Sequence, residues 1–144
     1  MKKIMLKPIG IVESEYYGQY TSDQAKKNIS KIIIYPDYIE GLYRLEEYSH
    51  IYVIFYCNQL REELGKPLKV NIKGDVNLPK VGIFASRAQN RPNPIGLTVV
   101  KLINIKDNIL FVKGLDAYNN SLIIDIKPLI PLSDIPKNPK ALKF

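Results

Sequence analysis

Seven short runs dominated by Ile, Val, Tyr and Phe leave few ways to fold this chain of 144 residues. They lie at residues 4–14, 31–35, 51–57, 81–87, 97–105, 109–116 and 121–128. Such side chains fit a pleated, half-buried surface. Turn signals stand between the last three runs, at Lys106-Asp107-Asn108 and Tyr118-Asn119-Asn120, so three consecutive antiparallel strands are predicted there. In the final run Leu122, Ile124 and Ile126 alternate with Ile123, Asp125 and Lys127, and Ile123 interrupts the polar face. Many close-spaced strands with few helices point to a mainly β fold, an antiparallel sheet that closes or folds on itself. The pattern alone does not separate barrel from sandwich.

Two segments break the strand pattern. Residues 37–50 read as a short helix, with Asp37 as N-cap and Leu42, Leu45 and Tyr48 on one side. Residues 21–28 supply another helical turn. Residues 60–79 hold Gly65, Pro67, Gly74 and Pro79 among alternating charges and read as a loop, with a short strand at 68–72. Residues 130–144 form an extended, proline-bearing tail. Nothing resembles an interdomain linker, so residues 1–144 are read as one domain.

The longest apolar run, residues 51–57, is too short to cross a bilayer, and the N-terminus lacks a signal-like apolar core. A cytoplasmic location is expected. The single cysteine, Cys57, lies inside that run and reads as a small core residue. No His, Cys or carboxylate cluster has metal-ligand spacing, so no metal is expected. Lys and Arg number 21 against 14 acidic residues, a net +7 that suits a polyanion partner or simple solubility.

The sharpest local feature is Arg87-Ala-Gln-Asn-Arg-Pro-Asn-Pro-Ile-Gly96. Pro92 and Pro94 fix φ, remove two donors and push Arg91 and Asn93 towards extended backbone. A stiff arch of this kind loses little entropy on binding. Arg87 and Arg91 offer planar donor forks suited to carboxylate or phosphate. On the residues alone, a proline-punctuated crossover with two solvated arginines competes with a binding loop.

That run, followed by Leu-Thr-Val-Val, resembles the signature of the TsaA-like family, also called TrmO. Pro8-Ile-Gly-Ile-Val-Glu-Ser14 resembles the family's opening strand. Gly41-Leu-Tyr-Arg-Leu-Glu-Glu-Tyr-Ser-His-Ile51 resembles its helix and the entry to a buried strand. Leu115-Asp116 with Ile124-Asp-Ile-Lys-Pro128 resembles its closing hairpin. The resemblance implies a compact antiparallel β-barrel of about seven strands with one or two short helices. It further implies S-adenosyl-L-methionine (SAM) as cofactor, a homodimer with SAM near the interface, and tRNA as partner. The family's reaction is methylation of N6 in threonylcarbamoyladenosine at tRNA position 37. Carried over, cofactor contacts fall on Gln24, Ala25, Lys26, Asn58, Gln59, Arg87, Leu97, Ser121, Leu122, Ile123 and Ile124. Members often have His where this chain has Asn58, and Asp-Gly-Thr-Pro where it has Asn119-Asn-Ser-Leu122.

For the chemistry, a urea-like nitrogen nucleophile is poorly basic and gains from a base. Asp116, Asp125 and His50 are the candidates. His50 also reads as a structural residue opening its strand, and Asp125 with Lys127 as an ion pair. Arg91, Asn93, Tyr17 and Lys127 are the candidate substrate contacts, because tyrosines among lysines can stack unpaired RNA bases. The GxGxxG dinucleotide motif is absent, which disfavours a doubly wound methyltransferase. A non-catalytic SAM-binding regulator and an RNA-binding module stand as the other readings.

Overall fold

The computed structural model describes residues 1–15, 22–58 and 65–143. Six strands, all paired antiparallel, close into a barrel: β1 (Gly10–Glu13), β2 (Ile29–Ile34), β3 (His50–Tyr56), β6 (Ile95–Lys106), β7 (Ile109–Lys113) and β8 (Leu122–Pro128). Their order around the barrel is β1-β2-β7-β6-β3-β8. Two further strands, β4 (Lys69–Asn71) and β5 (Lys80–Gly82), pair into a separate ribbon. The helices are α1 (Ser22–Lys27) and α2 (Pro131–Asp134). No described helix is long and apolar enough to cross a membrane.

Period-two alternation decides the inside of the barrel. Ile51, Val53 and Phe55 of β3 point inward to meet Ile32, Ile34, Val100, Leu110, Val112 and Ile123, and Cys57 joins this core. Ile123, out of place on the expected polar face, is fully buried. The reason is a bulge. Ile54 pairs with Asp125 but Phe55 with Ile123, so Ile124 is an extra residue that reverses the parity of β8. Ile123 and Ile126 thus both pack on the core. A second irregularity sits at Ile103, where β6 bends away from β3 to pair with β7.

Several predicted elements are corrected. Strand β1 begins at Gly10, not residue 4, because its partner β2 ends where Pro36 turns the chain, and Pro8 has no N–H to pair. The predicted strand at 81–87 stops at Gly82, pairs outside the barrel, and gives way to a 3₁₀ turn at Ile83–Ala85. The predicted helix at 37–50 is two 3₁₀ segments, Pro36–Leu42 and Leu45–Glu47, split at Arg44, whose φ of 67° is left-handed. Tyr35, not Asp37, is its N-cap, although Leu42 and Leu45 do pack on the core. The expected tail contains one helical turn, α2, whose Asp134 lies against Tyr52; burial first, then this carboxylate, pushes that phenol up.

The largest correction concerns the last two strands. The turn at Lys106-Asp107-Asn108 does join β6 to β7, with Asn108 also bonded to Ile34 of β2. But β7 and β8 are not a hairpin; β8 pairs with β1 and β3. Gly114, at φ 97°, ends β7, and the chain then crosses the mouth of the barrel. Leu115 and Ala117 are completely buried there, plugging it, while Asp116 between them stays exposed.

Candidate functional site

That crossing segment builds one rim of the barrel and sets Asp116 on it. Thr98 of β6 donates its hydroxyl to Asp116 Oδ1. Beside this pair opens a cleft of about 500 Å³, within the range of small-molecule sites. Arg87, Leu97 and Asp116 all line it, with Phe55, Cys57 and Gly96 as its apolar floor. Arg87 Nη2 donates to the Leu97 carbonyl at 3.1 Å, which fixes the guanidinium over the cleft. Gly96 is required: a Cβ here would lie 2.8 Å from Cε1 of Phe55 and closer still to its Cζ.

The arch holds itself in shape. Arg91 lines the cleft, yet its guanidinium is occupied by its own loop. Nη1 donates to the carbonyls of Ser86 (3.2 Å) and Ala88 (2.8 Å), and Nη2 to that of Ile83 (3.3 Å). These carbonyls belong to the first residue of the 3₁₀ turn, to the residue that closes it and to the loop just beyond. The residue expected to contact substrate thus braces the arch while still lining the cleft. Asn90, which the sequence reading overlooked, ties the arch to residues 65–66: it accepts from Gly65 N at 3.1 Å and donates to Lys66 O at 3.1 Å. Asn93 is exposed at the arch. Pro94 is buried, and its carbonyl accepts from Cys57 N at 2.8 Å.

Other predicted residues gather on the same rim without lining this cleft. Asn58 reaches the turn before β8, donating to Asn120 O at 3.3 Å and accepting from Leu122 N at 3.4 Å. Ser121 is buried and bonded through its backbone to Val12 and Tyr118. On α1, Ala25 is buried while Gln24 and Lys26 are exposed, and the helix end abuts Gly114. Ile123 points into the core and offers no side chain to a ligand. Ile124 sits in the bulge.

His50 and Asp125 lie elsewhere. His50 opens β3 at the far end from Tyr56, about 20 Å along the strand, and its Nδ1 is 2.8 Å from Ser49 Oγ. Asp125 lines a different cleft, accepts from its neighbour Ile126 N, and pairs with Lys127 Nζ at 2.9 Å. Asp116 is thus the only one of the three candidate bases on the Arg87 cleft. Tyr17 and Gln59 lie outside the described residues. At Cys57, burial, reinforced by the Asp116 charge and opposed by Arg91, pushes the thiol up to about 11, which favours the protonated form.

Residues 19–135 match the family described as the tRNA-methyltransferase O N-terminal domain. The chain belongs to that family. A probable S-adenosyl-L-methionine-binding protein from Methanocaldococcus jannaschii is 41% identical over 134 residues, covering 92% of this chain and 97% of the relative. A mouse tRNA (adenine(37)-N6)-methyltransferase is 34% identical over 103 residues, 68% of this chain and 22% of that protein. The crystal structure of TrmO from Pseudomonas aeruginosa superposes with a TM-score of 0.76 at 25% identity, over 96% of this chain. The chain spans 62% of the length of that solved TrmO.

Proposed function

We propose that this protein is a SAM-dependent methyltransferase that methylates N6 of threonylcarbamoyladenosine at position 37 of tRNA. One observation carries the reading: Arg87 of the arch, Leu97 of β6 and Asp116 of the crossing segment converge on one cleft at the rim where Asn58 and Ser121 also end.

The groups around that cleft suit the cofactor. A guanidinium at Arg87 matches the carboxylate of an amino-acid moiety. The exposed apolar surface of Ile95 and Leu97 suits a nucleoside ring, and the amide of Asn58 and the backbone of Ser121–Leu122 supply polar edges nearby. The cofactor supplies an activated methyl on a sulfonium, so the protein's task is mainly alignment. Asp116 takes the proton from the attacking nitrogen, with Thr98 holding its carboxylate in position. The names of the relatives support this assignment, as does the +7 charge for a polyanionic substrate.

The protein acts as a cytoplasmic homodimer in this reading. The outer face of β6 presents Ile95, Leu97 and Val99, each more than a third exposed, opposite Tyr56, Ile54 and Tyr52 of β3. Ile95 and Leu97 also line the cleft, so a second copy seated on this face would complete the cofactor site. Leu97→Asp should then yield a monomer by sedimentation with impaired SAM binding.

The deciding experiment gives the purified protein labelled SAM and tRNA bearing the threonylcarbamoyl group. Label should appear in the modified adenosine, and Asp116→Asn should lower the rate while leaving SAM affinity unchanged. The use of both ends of the Asn58 amide within the protein favours a second reading, a SAM-binding regulator. SAM binding without transfer to any tRNA from a strain lacking the homologue would select it.

A further inference from the structure

The ribbon β4–β5 lies outside the barrel and has no part in the cleft just described. Cross-strand partners share a face, and here Asn71 pairs with Lys80 and Lys69 with Gly82. Lys69, Asn71 and Lys80 therefore lie on one face. Asn71 opens, with Lys73, Ser86 and Arg87, onto a second cleft of about 480 Å³. Arg87 is thus the wall between two clefts, one with Asp116 and one with the lysine ribbon. Three residues before it, Phe84 is 80% exposed on the turn that links ribbon to arch. The acid at the ribbon tip, Asp75, accepts from Asn77 N at 2.9 Å.

We infer that this ribbon is the surface that docks the substrate RNA, with Phe84 as a platform on which one unpaired base stacks. The inference rests on the tRNA reading above and specifies where and how the RNA loop sits. Lys69, Lys73 and Lys80 meet phosphates, and Phe84 receives a base splayed from the loop beside the target nucleotide. An aromatic face with surrounding cations binds single-stranded segments and cannot engage a base inside a duplex. A second copy of the chain fits the face poorly, because a two-fold contact would set the same lysines against one another.

The chain has no tryptophan, so Phe84→Trp introduces the sole reporter of its kind. Its emission should be quenched by an anticodon-type hairpin loop and unaffected by a duplex of the same composition. Phe84→Ala should weaken loop binding by roughly 5- to 100-fold, the range one stacked base provides, with SAM affinity unchanged and Phe84→Trp restoring binding. Lys69→Gln with Lys80→Gln should lower the slope of log affinity against log salt by roughly 1 to 2. If the wild type binds and methylates tRNA while Phe84→Ala binds it within twofold, the docking surface is refuted and the methyltransferase reading survives. If the wild type binds SAM but no RNA, both fall. A shift of Phe84→Ala from dimer to monomer in sedimentation would make the patch a self-contact and also overturn the inference.

Discussion

Gly96→Ala tests the packing that underlies the cleft. An added Cβ would stand 2.5 Å from Cε2 and 2.8 Å from Cε1 of Phe55, where ordinary contact is 3.4–4 Å. The ring must retreat by about 1 Å, but Phe55 is only 4% exposed and walled in by the core. Overpacking of this kind costs about 1–3 kcal/mol, with about 3–5 kcal/mol as a ceiling if the ring is expelled. Phe55→Leu removes Cε1, Cε2 and Cζ, the atoms in conflict, and by itself costs about 1–1.5 kcal/mol. The double variant should therefore be more stable than the sum of the singles by at least about 1 kcal/mol. Urea denaturation at constant m-value measures all four proteins. Additive effects, or a Gly96→Ala protein within about 0.5 kcal/mol of wild type, would refute the argument that Gly96 exists to admit the Phe55 ring.

Arg91 is expected to act on stability first. Arg91→Met should cost about 2–3 kcal/mol and Arg91→Lys about 1–2, because one ammonium cannot serve the three carbonyls the fork now reaches; thermal denaturation checks both. Arg87→Ala, by contrast, should leave the denaturation midpoint nearly unchanged and weaken SAM binding by roughly 10- to 100-fold in calorimetry, since a charged hydrogen bond provides about 1.5–3 kcal/mol. Cys57 makes stability fall at alkaline pH. Its thiol is pushed up from 9.0 to about 11, so the folded state retains a proton that the unfolded state has lost. The contribution is full below pH 9.0 and vanishes as pH rises through about 11, a decline of about 1–2 kcal/mol after allowing for local relaxation. Cys57→Ala should abolish that limb of the profile, and an unchanged limb would assign it to other groups.

The inward residues of the barrel were legible because alternation is a local property: Ile51, Val53 and Phe55 announce themselves. The stiff arch was legible too, since Pro92 and Pro94 act on their own neighbours. What the sequence hid was partnership. Nothing in Arg91 reveals that the carbonyls of Ile83, Ser86 and Ala88 lie within its reach, for that depends on a 3₁₀ turn that follows Gly82. The ribbon was half legible: the short strand expected at 68–72 is β4, but its partner was hidden in the run at 81–87, because β5 has only three residues before the 3₁₀ turn begins. Asp125 and His50 looked as eligible as Asp116 because spacing along a chain does not say which end of a barrel a residue reaches.

The misread hairpin and the site have one cause. A turn at residues 118–120 would leave the barrel mouth open if β7 and β8 were adjacent, and Leu115 and Ala117 would then be apolar residues in solvent. Because these two residues are instead fully buried, the segment must cross the mouth and deliver β8 to β1 and β3 on the other side. Strict inside–outside alternation along that extended crossing then forces the residue between them outward, and that residue is Asp116. The exposed carboxylate on the rim is therefore a geometric consequence of sealing the core. It stands beside Arg87 because Thr98, one residue after Leu97, holds the carboxylate while Leu97 holds the guanidinium. One short stretch of β6 thus sets the two opposite charges of the cleft.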